Sequence, residues 1–295
     1  MRNESILLLA TSVLFGCQSG PSESLTVYID VAEDTITVVE ALATNGASLQ
    51  ESQVPGYYTG KFTNVELNPS DEHIAANRIT LIIEAFHDGM VIGKSVVAGN
   101  ERPFSGTYQR TDGIYQVRAE EPGDDRYDGV FTFTISDSMF PLRGDWRAND
   151  QSLKGNHKRY GLEKKIFRYN PSLALPNRVS GSYVGENAEI DELGEAELIT
   201  EDVLRVNPSM QLLINEDVEN MYKADLEILR NSIYARHGYS FKNKRIRKVF
   251  DQNVAWYVPV STDVRAELTS LEVKNIDLIK RYEEHADRYY DTFGR

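Results

Sequence analysis

Ten residues, Arg230-Asn231-Ser232-Ile233-Tyr234-Ala235-Arg236-His237-Gly238-Tyr239, bring together two guanidinium groups, an imidazole, two phenols, an amide and a hydroxyl. Such a set could move a proton through His237 or hold an anion between Arg230 and Arg236. Catalysis would also need an acidic or nucleophilic partner for His237, and no spacing in the chain supplies one. The segment ends in a glycine after strong helix formers, so it reads as the last turns of a helix. Tyr222, Leu226, Leu229 and Ile233 form the apolar stripe of that helix. Arg230 and His237 fall at the edge of the stripe, and Tyr234 lies just beyond it.

Polar groups placed this way point inward and need partners, because an unsatisfied buried group costs about 1–3 kcal/mol. A closing helix from Ser270 to at least Tyr282 carries Asn275 in a stripe with Leu271, Leu278 and Tyr282. A shared hydrogen-bond network of Arg230, His237 and Asn275, joining the first and last helices of a small bundle, is expected. Arg236 and His237 stand where a helix dipole favours cations. Gly238 suits the left-handed position after the helix, with Tyr239 packing back on Tyr234. Between these helices, Asn243 should cap a shorter one from Lys244 to Phe250.

Other catalytic and metal signatures are missing from the sequence. The five histidines never fall at the i, i+4 spacing that sets two imidazoles on one helix face, and Cys17 is the single cysteine. Asp124, Asp125 and Asp128, in the acidic tip Glu121–Gly129, are the best candidates for Ca²⁺ ligands. They fail the EF-hand pattern, since Arg126 takes a ligand position and Ile135 stands where a bidentate Glu belongs. An enzyme would have to draw on carboxylates such as Glu84, Asp124 or Asp128 as an acid/base pair. A non-catalytic protein without cofactor is the preferred reading.

The elements that carry these residues divide into an α+β arrangement. Residues 25–170 show short β-branched and aromatic runs broken by turn signals, the pattern of an antiparallel β barrel or sandwich of about eight strands. Asp88-Gly89 and Asp112-Gly113 predict tight hairpins. Residues 171–220, rich in Glu and Asp, read as a solvated acidic connector, and 221–295 as a small α-helical domain. The helical part carries 14 Lys and Arg against 11 Asp and Glu, in a chain of net charge −13. That asymmetry predicts attraction between the basic module and the acidic remainder, or an anionic partner. A chain of pI 4.9 is a poor ligand for nucleic acid.

Residues 1–17 read as a bacterial lipoprotein signal, with an apolar run from Ile6 to Phe15 and a lipobox at Leu14-Phe15-Gly16-Cys17. Cys17 would carry the lipid, residues 18–24 would be a tether, and Gln18 in place of Asp points to the outer membrane.

The order Leu229-Arg230-Asn231-Ser232-Ile233-Tyr234-Ala235-Arg236-His237-Gly238-Tyr239-Ser240-Phe241, then Trp256-Tyr257, then Leu268, Leu271-Glu272 and Asn275-Ile276, resembles the bacterial YARHG domain over Met221–Tyr282. Ser232 departs from it where Glu is commoner. The resemblance implies an extracytoplasmic module of envelope proteins and lipoproteins, with no activity attached. With it the chain reads as a lipid-anchored binding or scaffold protein of the cell envelope, engaging cell-wall glycan or another protein. The expected binding surface is Lys242, Lys244, Arg245, Arg247 and Lys248 with the Trp256-Tyr257 face. A hollow barrel would instead suit a small apolar ligand.

Overall fold

In a computed structural model of the chain the described residues are 28–32, 35–39, 49–66, 76–136, 142–182 and 198–289. The lipobox, Cys17 and the tether lie outside them. Two strands, β1 (Tyr28–Ala32) and β2 (Thr35–Val39), pair as an antiparallel hairpin within a separate N-terminal unit.

From residue 56 onward, side chains alternate between apolar and polar at the two-residue period of a strand with one buried face. Eight strands follow: β3 (Gly56–Asn64), β4 (Asn77–His87), β5 (Met90–Val97), β6 (Asn100–Thr111), β7 (Ile114–Glu120), β8 (Gly129–Ser136), β9 (Leu142–Ala148) and β10 (His157–Lys165). Each pairs antiparallel with the next, and β10 returns to β3, closing a barrel that leaves no free edge. Asp88-Gly89 and Asp112-Gly113 make the predicted turns, all four residues having positive φ. A third such turn at Ala98-Gly99 was not legible, because alanine rarely adopts φ 52°. Strand β6 starts four residues earlier than its apolar run suggests and includes Pro103. Its register against β7 stops at Ser105 opposite Glu120, so only one edge of β6 is paired at the proline.

Aromatic rings fill the barrel. Phe86 stacks on Tyr108 at 3.9 Å and Tyr115 meets both edge-on, while Phe104, Phe131, Tyr160, Phe62 and Trp146 form a second series of ring contacts. Leu49 and Val54 are buried in the same core, and their carbonyls accept from Tyr115 Oη and Tyr58 Oη. Towards the opposite end, Glu121 accepts from Ser95 Oγ, Gly129 N and Trp146 Nε1, while Arg102 Nε meets Asp128 Oδ1 at 3.1 Å. The outer wall is mostly polar, with Gln109, Gln116, Arg118, Thr132, Thr134 and Arg143 exposed and Met90, Ile92 and Ile114 the apolar exceptions. Apolar inside and polar outside is the inverse of a membrane-spanning barrel.

The C-terminal region has four helices: α1 (Asn215–Val218), α2 (Lys223–Arg236), α3 (Lys244–Asn253) and α4 (Ser270–Tyr289). Asn243 caps α3 by accepting from Arg245 N and Ile246 N. Helix α2 is buried on two sides rather than along one stripe. Leu226 and Leu229 face Leu278 and Ile279 of α4, while Ala224, Ile228 and Ala235 face the cluster of Val249, Phe250 and Tyr257. That second cluster also takes in Leu175, Val179, Ile199 and Val203. The described parts of the expected connector are therefore packed against the helices, because their few apolar side chains outweigh the surrounding acids. Barrel and helices belong to one compact unit, residues 48–295.

Arg78 joins the two. Its guanidinium donates to the carbonyls of Asp251, Val254 and Tyr257 at the C-terminal end of α3, and its backbone N–H donates to Asp251 Oδ2 at 2.8 Å. A cation there satisfies carbonyls the helix leaves open. The charge asymmetry predicted helical cations against barrel acids; this contact has the reverse sense.

Candidate functional site

The ten-residue motif ends α2 in a Schellman cap. Gly238, at φ 75°, donates its N–H to Ala235 O at 3.0 Å, and Tyr239 N–H donates to Tyr234 O at 3.0 Å. The two tyrosine rings meet at 6.0 Å, as the sequence predicted. A Cβ on Gly238 would lie 2.5 Å from Val260 Cγ2 and 2.7 Å from the Phe167 ring. Phe167 follows β10 and packs edge-on against Tyr57 of β3, so the glycine also lets the barrel's outgoing chain reach the helix end. Gly238→Ala should lower stability by about 2–4 kcal/mol, combining left-handed strain with overpacking. Chemical denaturation measures it, and a change under 1 kcal/mol would contradict the close approach.

Arg230, His237 and Asn275 are held by separate ties, not by one shared network. Arg230 Nε donates to Glu283 Oε1 at 2.7 Å. Asn275, fully buried in α4, turns away from α2: its Nδ2 donates to Pro208 O and Gln211 O, and its Oδ1 accepts from Leu213 N. His237 Nε2 donates to Glu272 Oε2 at 2.8 Å, and its ring stacks on Tyr169 at 4.2 Å. Arg236, also buried, donates to Leu173 O and Ser232 Oγ and lies over the Trp256 ring at 5.8 Å. Burial pulls the Arg236 guanidinium down to about 10, against the opposing pull of Glu272.

Glu272 is the hub that sequence reasoning missed. Besides His237 it accepts from Ser209 Oγ at 2.6 Å, Tyr169 Oη at 3.1 Å, and the N–H and hydroxyl of Thr269. Burial pushes its carboxyl up, but the hydrogen bonds from His237, Ser209 and Thr269 outweigh that and hold it down at about 2. A sequence signal existed: Thr269-x-x-Glu272 is a capping box, with Glu272 N–H returned to Thr269 Oγ1. Ser209 and Tyr169 gave none, being remote in sequence. Serine, glutamate and histidine side by side suggest a nucleophile, yet the carboxylate stands between the other two. His237 therefore has no bond through which to deprotonate Ser209, and Glu272 has no exposed surface.

The remaining candidates are dispersed. Asp128 is buried, bonded to Arg102 and to the N–H groups of Gly123 and Asp125, while Asp124 is exposed on the same loop and Asp125 pairs loosely with Arg102. Glu84 is exposed at the β4 bulge, nearer the Asp88-Gly89 turn, and the acidic loop lies at the other end of the barrel. Of the expected binding face, Lys242, Lys244 and Lys248 are exposed. Arg245 pairs with Glu227, and Arg247 bonds Asn77 and the carbonyls of Phe241 and Lys242. Trp256 is half-buried with its Nε1 on Ala174 O, and Tyr257 is 1% exposed in the core. The aromatic pair is thus packing rather than an open face, because a neighbouring Arg236 and Phe250 cover it.

Outside the cap, α2 forms one wall of a cleft of about 410 Å³ whose other wall is the loop Thr262–Arg265. Backbone bonds from Val260 and Ser261 to Gly238 O hold that loop beside the cap.

Compared with known proteins, residues 204–284 match the YARHG domain. The match begins inside the segment expected to be a connector, in keeping with the packing of Val203 and Leu213 against the helices. No curated protein and no solved structure matches the chain.

Proposed function

We propose that this chain, with its YARHG domain seated against a solid barrel, is a non-catalytic cell-envelope protein that binds cell-wall glycan or another envelope protein. The observation that carries the reading is how the polar groups are used. The side chains best suited to chemistry, His237, Arg236 and Glu272, are buried in fixed bonds, and the barrel interior is occupied by aromatic rings. What can meet a partner is the outer surface: the cleft beside the cap and the lysines 242, 244 and 248. A hydrolase would call for two carboxylates across a pocket, whereas Glu84 and the acidic loop sit towards opposite ends of the barrel. A barrel carrying a small apolar ligand would need free space where Phe86, Tyr108 and Phe131 pack.

A lipid on Cys17 would fix the protein to a membrane, the outer one by the Gln18 criterion, through acyl chains that together anchor firmly. Purified protein should be retained on isolated sacculi or on immobilised envelope extract; recovery no better than on bare resin would remove the binding reading. Cys17→Ser should move the protein from the membrane to the soluble fraction, and continued sedimentation with membranes would count against the anchor.

A further inference from the structure

We propose that the cleft between α2 and the Thr262–Arg265 loop is a binding site for an uncharged, hydroxyl-rich ligand, a saccharide. This deepens the envelope-binding reading and rests on it.

Charge selects the ligand class. Both cations in the cleft are already paired, Arg230 with Glu283 and Arg265 with Asp263. Asp277, a further carboxylate acting on Tyr234, leaves no positive excess for an anion. The cleft between the barrel and α3, about 540 Å³, is more basic, since Lys61, Arg78, Lys165 and Arg178 line it against Glu163 and Asp251. An anionic ligand would prefer that place.

Hydrogen-bonding groups and ring faces specify the rest. Asn231 uses its Nδ2 on Glu227 O at 2.7 Å, which leaves its Oδ1 as an acceptor with no partner among the described residues. Tyr234 and Tyr239 are half-buried and tilted by 55° to each other, offering ring faces with hydroxyl tips, and Thr262 adds a further hydroxyl. A sugar ring presents C–H faces and hydroxyls in the same combination, and amphipathic aromatics suit it. The volume falls in the range of small-ligand clefts. The cap itself builds the site: without the turn at Gly238, Tyr239 would not stand beside Tyr234.

The test titrates the full chain in a calorimeter with a β-1,4-linked N-acetylglucosamine tetramer, maltotetraose and an anionic oligogalacturonate. Saturable binding of one neutral oligosaccharide is expected, with the anionic one at least tenfold weaker. Asn231→Ala and Tyr234→Phe should each weaken binding at least threefold with the far-UV spectrum of the folded chain retained, while Gln109→Ala on the barrel wall should not. Absence of binding by the unaltered chain, preference for the anionic sugar, or full affinity in both cleft variants would overturn the proposal. Retention on sacculi without oligosaccharide binding overturns the cleft assignment alone; loss of both removes the envelope reading as well.

Discussion

Glu272→Gln should destabilise the protein by about 3 kcal/mol at neutral pH, the scale expected when one member of a buried hydrogen-bonded pair is neutralised. Glutamine keeps the shape, but its NH₂ must face either His237 Nε2 and Thr269 N or the hydroxyls of Ser209 and Tyr169. The first orientation sets two donors against each other, and the second forces both hydroxyls to turn and accept, giving up their charge-assisted bonds to a carboxylate. The acid limb of stability gives an independent readout. The folded carboxyl sits at about 2, below its ordinary 4.5, so its contribution is full above about pH 4.5 and is lost as pH falls through about 2. That difference corresponds to about 3 kcal/mol. Urea unfolding at a series of pH values should show this loss in the unaltered chain and a flatter acid limb in Glu272→Gln. Equal slopes in the two would contradict the hub.

Arg78→Ala should cost about 2–4 kcal/mol and loosen the helices from the barrel, because three carbonyls at the end of α3 lose their donor together. Hydrogen exchange should rise first in 244–257, with the barrel strands protected as before. If protection of α3 is unchanged, Arg78 does not hold the two parts together. Its neighbour Asp251 acts in the opposite pH direction to Glu272. Burial pushes this carboxyl up to about 6 against the opposing pull of Arg78, so the stability it contributes is full below about pH 3.8 and falls as pH rises through 6. The two groups together place the stability maximum on the acid side of neutrality, and Asp251→Asn should flatten the fall between pH 4 and 6.

The eight barrel strands were legible because each obeys a local rule, a two-residue apolar period, and two of the hairpins are marked by Asp-Gly pairs that accept positive φ. Phe131, Phe133 and Ile135 on one face of β8 sufficed to place that strand. The α2 cap was legible for the same reason, since Tyr234, Gly238 and Tyr239 are neighbours in sequence and a Schellman turn involves nothing else. Asn243 and the final helix belong to this class.

Partners remote in sequence were not legible. Helical projection turned Arg230, His237 and Asn275 inward but could not say that they go to Glu283, Glu272 and the 208–213 loop, because direction from one helix axis leaves the facing element unspecified. Charge composition likewise pointed to attraction between a basic module and an acidic remainder, yet Arg78 of the barrel enters the helical part. Burial depends on the local fit of a few side chains, and net charge does not resolve it. The Trp256-Tyr257 pair was expected on a binding face, yet Tyr257 lies in the core and Trp256 is half-covered. The sequence by itself thus determined the eight antiparallel strands, the helices and the glycine cap, while closure of the strands into a barrel rather than a sandwich came from the pairing of β10 with β3. The tertiary structure alone decided that Arg230, Arg236 and His237 of the motif are internal ties, and that a cleft forms where a distant loop docks on the cap.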